Sequence, residues 1–281
     1  MNNTQMIRSL LVGGSLLLAV SCTPKPAFAQ WNAYDAMMSN NVYSRGWVNP
    51  YDNTYTNAYK FTYRPITTTY AYFGGSPASR AARRKARVQK MPARQRTEME
   101  RFLKYNGTMY KPSKSMDTAS TLSQTFATNL KVPAPKMKTV MQEMWNLYVK
   151  QAKDQNAPAT DLARTMAYCI SANYYYYTGG TGVPETQVAV LRKNLRETLA
   201  EDPKFRAMTD SQKQQLNESM VMLTHFAALG FEVVAKKAPA EKRTQVREGF
   251  KKLAGVNLRG ILGVDASRVA FNSDGLLIKP A

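Results

Sequence analysis

The stretch Asp161-Leu162-Ala163-Arg164-Thr165-Met166-Ala167-Tyr168-Cys169-Ile170-Ser171-Ala172-Asn173-Tyr174-Tyr175-Tyr176-Tyr177 decides the fold class. Leu162, Ala163, Met166, Ala167, Cys169, Ile170, Asn173 and Tyr174 recur at three- and four-residue spacing. That period lines one side of an α-helix, and strict alternation would be needed for a strand. Pro158 precedes the run, Thr160 or Asp161 stands where an N-cap belongs, and Gly179-Gly180 supplies the stop.

The same pattern continues on both sides. Leu122, Phe126 and Leu130 form a stripe with Asp117 placed to cap, and Pro133 and Pro135 end that helix and open the next. Met137, Val140, Met141, Met144, Leu147 and Tyr148 predict a second apolar face. Downstream, Pro184 opens a helix burying Val188, Leu191, Leu195 and Leu199. Thr209-Asp210-Ser211-Gln212 reads as a capping box, followed by Leu216, Met220, Leu223, Phe226, Ala227, Gly230, Val233 and Val234. A last helix from Pro239 carries Val246, Phe250 and Leu253, with Gly255 as its expected stop. From Val264 to Ile278 only short β-type runs remain, around a Ser273-Asp274-Gly275 turn. The expected class is mainly α: a single multi-helix domain over residues 115–281, with a short irregular or β-type tail.

Three segments precede that domain. Residues 1–29 read as an export signal: Arg8, then the apolar run Ser9–Val20, then Ala27-Phe28-Ala29 before Gln30. The run is too short to span a bilayer, and small-x-small is what a signal peptidase cuts, so cleavage is expected after Ala29. Ala19-Val20-Ser21-Cys22 is the alternative, a loose lipoprotein box that would anchor the chain through a lipid on Cys22. Residues 30–77 are rich in aromatic, Asn and Thr residues and short of aliphatics, so they are expected to be a poorly ordered leader. Residues 78–114 form a basic linker or helix, in which twelve Lys and Arg face only Glu98 and Glu100. Arg80, Arg83, Arg84, Lys85, Arg87 and Lys90 are the candidate contacts to an anionic surface, because the intervening positions are mainly alanine and lack the bulk for membrane insertion.

The helix pattern Asp161–Tyr168 with Tyr177-Thr178-Gly179, together with Leu262-Gly263-Val264-Asp265 and Ser273-Asp274-Gly275-Leu276, resembles a group of bacterial exported proteins known only as a domain of unknown function. The resemblance spans about residues 115–278. It implies an exported helical domain and carries over no active site.

Composition bounds the chemistry. The formal charge is +20, and loss of the signal removes only Arg8 and Lys25 from it. Cys22 and Cys169 are the only cysteines, and either processing route takes Cys22 out of play, so no intramolecular disulfide is expected. Cys169 reads as a small buried hydrophobe. His225, the single histidine, reads as structural, since one imidazole without a cysteine cluster is a poor metal ligand set. Gly179-Gly180-Thr181-Gly182 lacks the Gly-Lys-Ser/Thr ending of a phosphate loop. Asp210 and Glu218 are assigned to polar helix faces. No catalytic residue, metal site or cofactor is assigned.

The expected role is therefore that of an exported, periplasmic or secreted, non-enzymatic protein. Its partners would be anionic envelope polymer or lipid headgroups, or another envelope protein. Export argues against genomic nucleic acid. The alternative is a small-molecule or glycan-binding module with a groove lined by Tyr174, Tyr175, Tyr176 and Tyr177, since tyrosine stacks on sugar rings and keeps a polar tip. An unrecognised hydrolase is the third reading.

Overall fold

The computed structural model describes residues 73–130, 133–235 and 238–280. The segment read as an export signal, with Cys22 and Ala29, and the aromatic stretch up to residue 72 lie outside the described residues. Among the described residues nine α-helices follow one another: α1 (Pro77–Lys90), α2 (Ala93–Lys104), α3 (Thr118–Leu130), α4 (Ala134–Asp154), α5 (Leu162–Tyr177), α6 (Glu185–Glu201), the one-turn α7 (Pro203–Arg206), α8 (Asp210–Leu229) and α9 (Arg243–Leu262). A two-stranded antiparallel hairpin closes the chain, with β1 (Val269–Asn272) paired to β2 (Gly275–Ile278) across Ser273-Asp274.

The local signals act where the sequence places them. The Asp117 carboxylate accepts from Ser120 N at 2.9 Å at the start of α3. Asp161 caps α5, and Thr209 and Gln212 complete a reciprocal capping box on α8. Each cap satisfies backbone donors that the first helical turn leaves unpaired, which stabilises a helix by about 1 kcal/mol.

Helix α5 lies at the centre, with α6, α8 and α9 packed around it and the α3–α4 pair laid against α8. Leu162, Met166 and Ile170 of α5 meet Leu191 and Leu195 of α6, Phe226 of α8 and Phe250 of α9 in one core, all of them almost inaccessible to water. On α4 the stripe holds at Met137, Met141, Met144 and Tyr148, but Leu147 turns outward and is 38 % exposed.

The structure departs from the expected pattern elsewhere too. Gly255 does not end α9, which continues to Leu262 and stops at Gly263 in the left-handed conformation, φ 68°. Gly255 is instead a close approach: a Cβ there would sit 2.9 Å from the Tyr177 ring of α5. Helix α8 runs straight into a π-helical turn, Gly230–Val234. Finally, Glu218 is buried. It sits with Lys213, Gln214 and Asn217 beneath residues 105–117, which cross the N-terminal half of α8.

Residues N-terminal to 115 share this body. Phe73 is 1 % exposed within the core, Gly74 bridges Ile278 of β2, and Met99 and Tyr110 are buried.

Candidate functional surface

Helix α1 is built by Ser76, whose hydroxyl caps Ser79 N at 3.3 Å, with Pro77 in the first turn. It ends at Met91-Pro92, where proline cannot continue the hydrogen-bond ladder. Arg80, Arg83, Arg84 and Arg87 fall at i, i+3, i+4 and i+7, on one face. That face turns toward the protein's own body. The Arg84 guanidinium meets Glu197 and Glu201 of α6, at 2.7 Å each, and Arg87 Nε reaches Glu201 at 3.1 Å. Arg80 donates to the carbonyls of Gly75, at 3.0 Å, and Asp274, at 3.2 Å. Arg83 donates to the carbonyl of Gly74. The opposite face carries Ala81, Ala82, Lys85, Ala86 and Lys90, all exposed.

The six candidate anion contacts are thus divided. Four arginines hold α1 to the body, while Lys85 and Lys90 face water. The outward positive charge continues through Arg94, Arg101, Lys104, Lys111 and Lys114, with Glu98 and Glu100 the exposed acids among them. Arg94 is paired with Glu98 at 3.1 Å. Sequence periodicity reveals the arginine face, but Glu197 and Glu201 lie more than a hundred residues away and carry no local mark.

The four tyrosines fan out around the end of α5. Tyr174 packs edge-on against Phe271 of β1 at 5.0 Å between centroids, and Tyr176 lies tilted against Phe231 of the π turn at 5.3 Å. Tyr175 contacts Tyr176, and Tyr177 sits beside Gly255. The Arg247 guanidinium lies 4.3 Å over Phe231. All four tyrosines are half-buried. A depression of about 430 Å³ lies elsewhere, at the end of α4, lined by Val149, Lys153, Asn156, Ala157 and Ala159. No tyrosine borders it.

His225 occupies the seam between α4, α5 and α8. Its Nδ1 donates to the Met144 carbonyl at 2.8 Å, and its Nε2 accepts from the Tyr168 hydroxyl at 2.7 Å. Although the residue is partly accessible, both ring nitrogens are engaged, which fixes the neutral tautomer. Burial holds its pKa down to about 4. Burial likewise pushes the Cys169 thiol up to about 12, far from thiolate character. Among the described residues no group of three or more His, Cys, Asp and Glu could hold a metal ion, and no helix is long and apolar enough to cross a membrane.

The buried polar hubs join residues far apart in the chain and carry no local mark in the sequence. Asp161 accepts from Thr108 Oγ1 at 3.0 Å and from Arg192 at 2.7 Å, tying residues 105–117 and α6 to the start of α5. Asn173 of α5 donates to Thr224 of α8 at 2.8 Å and accepts from Asn257 of α9 at 2.9 Å. Lys213 Nζ donates to the Gly107 carbonyl at 2.8 Å and lies over the rings of Phe102 and Phe205. Burial lowers the pKa of Lys213 and raises that of Glu218. Each hub fixes how helices meet.

Comparison with curated proteins and with solved structures returns no match. One family model does match, over residues 6–279, and so takes in the aromatic and basic stretches as well as the helical body. The chain belongs to that family, which is described as a family of unknown function (DUF6683).

Proposed function

We propose that this chain is an exported, non-catalytic bacterial protein that associates with the anionic surface of the cell envelope through its N-terminal helices. The observation that carries the reading is the outward positive charge of α1, α2 and the following loop. There Lys85, Lys90, Arg94, Arg101, Lys104, Lys111 and Lys114 are exposed, and Glu98 and Glu100 are the only acids of residues 78–114. Such an array binds polyanions by displacing their counterions, so affinity falls as salt rises. The exposed α1 positions other than the lysines are mainly alanine, which favours surface association over insertion.

The test is binding of the full chain to a soluble anionic polymer across a salt series, beside a variant with Lys85, Lys90, Lys104, Lys111 and Lys114 changed to Gln. Deleting the segment would remove Met99, Thr108 and Tyr110 from the body, so neutralisation is the cleaner perturbation. Affinity should fall with salt and drop by about tenfold or more in the variant. Binding that ignores both would refute the reading.

A further inference from the structure

Helix α1 is fixed at both ends by buried residues and along its middle by its arginine face. Before it, Phe73 is 1 % exposed in the core and Gly74 is bridged to Ile278. After it, the Met91-Pro92 break leads to α2, where Met99 is buried and the Phe102 ring meets Phe205 at 5.9 Å. Between these anchors none of the described α1 side chains is buried. The named contacts of α1 with the body are those of the arginine face, with Arg84 and Arg87 on α6 and Arg80 and Arg83 on main-chain carbonyls. Beneath them the Glu201 side chain is 2 % exposed, and lifting α1 would return it to water.

A carboxylate on guanidinium is chemically close to a phosphate on guanidinium, since both offer paired oxygens to a planar fork of N–H donors. A polymer of closely spaced phosphates can therefore replace Glu197 and Glu201 one for one. Lys85 and Lys90 on the outer face would draw it to the helix first. We propose that α1 is a strap held by ion pairs, which a phosphate-rich anionic polymer lifts from α6. Arg84 and Arg87 then exchange internal carboxylates for external phosphates, and Arg80 and Arg83 exchange main-chain carbonyls for them. The inference rests on the anionic-surface reading above and explains how one helix serves both packing and binding. The small side chains of the outer face direct it to a polymer in solution, not to a bilayer.

The test follows amide hydrogen exchange of the full chain, wild type and the Glu197→Gln/Glu201→Gln variant, with and without inorganic polyphosphate. Glutamine keeps the size of the side chain and removes the charge. In the absence of polymer, exchange in α1 should rise with salt and in the variant, while α5 stays protected. Polyphosphate should raise exchange in α1 of the wild type and bind the variant about tenfold more tightly, because the competent state is no longer held closed. If α1 is as protected as α5 at high salt and in the variant, the strap is overturned whatever binds. If polyphosphate binds both proteins equally and leaves α1 exchange unchanged, the anionic-surface reading stands and the strap falls. If α1 opens in the variant but neither protein binds polyphosphate, both readings fall. Opening by vesicles of phosphatidylglycerol but not by polyphosphate would overturn the choice of partner.

Discussion

Lowering the pH from 7 to 4.5 will charge His225 in the unfolded chain before it charges in the native one. In the folded protein Nδ1 donates to the Met144 carbonyl and Nε2 accepts from the Tyr168 hydroxyl, so charging the ring would reverse the Tyr168 bond and bury a cation at this seam. Burial holds the native pKa at about 4 against an ordinary 6.5. The native form therefore resists the proton that the unfolded form accepts. Stability is intact above about 6.5 and is lost progressively as the pH falls toward about 4. The full shift corresponds to a ceiling of about 3 kcal/mol, of which about 2 kcal/mol should be gone by pH 4.5.

Glu218 works in the opposite direction, because burial raises its pKa and the folded state then takes the proton more readily. The wild-type curve alone would mix the two effects. Urea unfolding of wild type and His225→Gln, followed by circular dichroism at several pH values, separates them, since glutamine does not titrate. The stability advantage of the wild type over the variant should shrink by about 2 kcal/mol between pH 7 and 4.5. A difference that stays constant to within about 0.5 kcal/mol would refute the assignment of a neutral, doubly bonded imidazole.

Two further outcomes follow from packing. Gly230→Ala would place a Cβ 2.0 Å from the Phe250 ring, itself 0 % exposed, so the variant should lose about 1–3 kcal/mol in the same titration despite alanine's better helix propensity. Combined with Phe250→Leu the loss should be less than additive, and full additivity would show that the ring moves aside freely. Cys169 should react with a thiol reagent only as fast as the protein opens, slowing as stability rises; immediate stoichiometric labelling of the native chain would contradict its burial.

Much of the helical frame was legible because its signals are local. Asp117, Asp161 and the Thr209–Gln212 pair each satisfy amides within their own first turn, so four residues of sequence suffice to place a helix start. The apolar stripes of α5 and α6 were equally plain. Gly255 was misread for the same reason: a glycine near a helix end looks like a stop unless the approaching Tyr177 ring is visible. Glu218 reads as a polar-face residue because nothing around it in the chain announces that residues 105–117 lie over α8.

The sequence by itself determined the class of structure, the order of the helices and the concentration of positive charge before residue 115. Periodicity, caps and composition operate over a few residues and survive without tertiary context. Only the tertiary structure decided what that charge faces. Arg84 and Glu201 are 117 residues apart, and their meeting is set by how α1 crosses α6. The same arginine face can serve packing or partner, and the choice depends on whether a carboxylate of the same chain reaches it first.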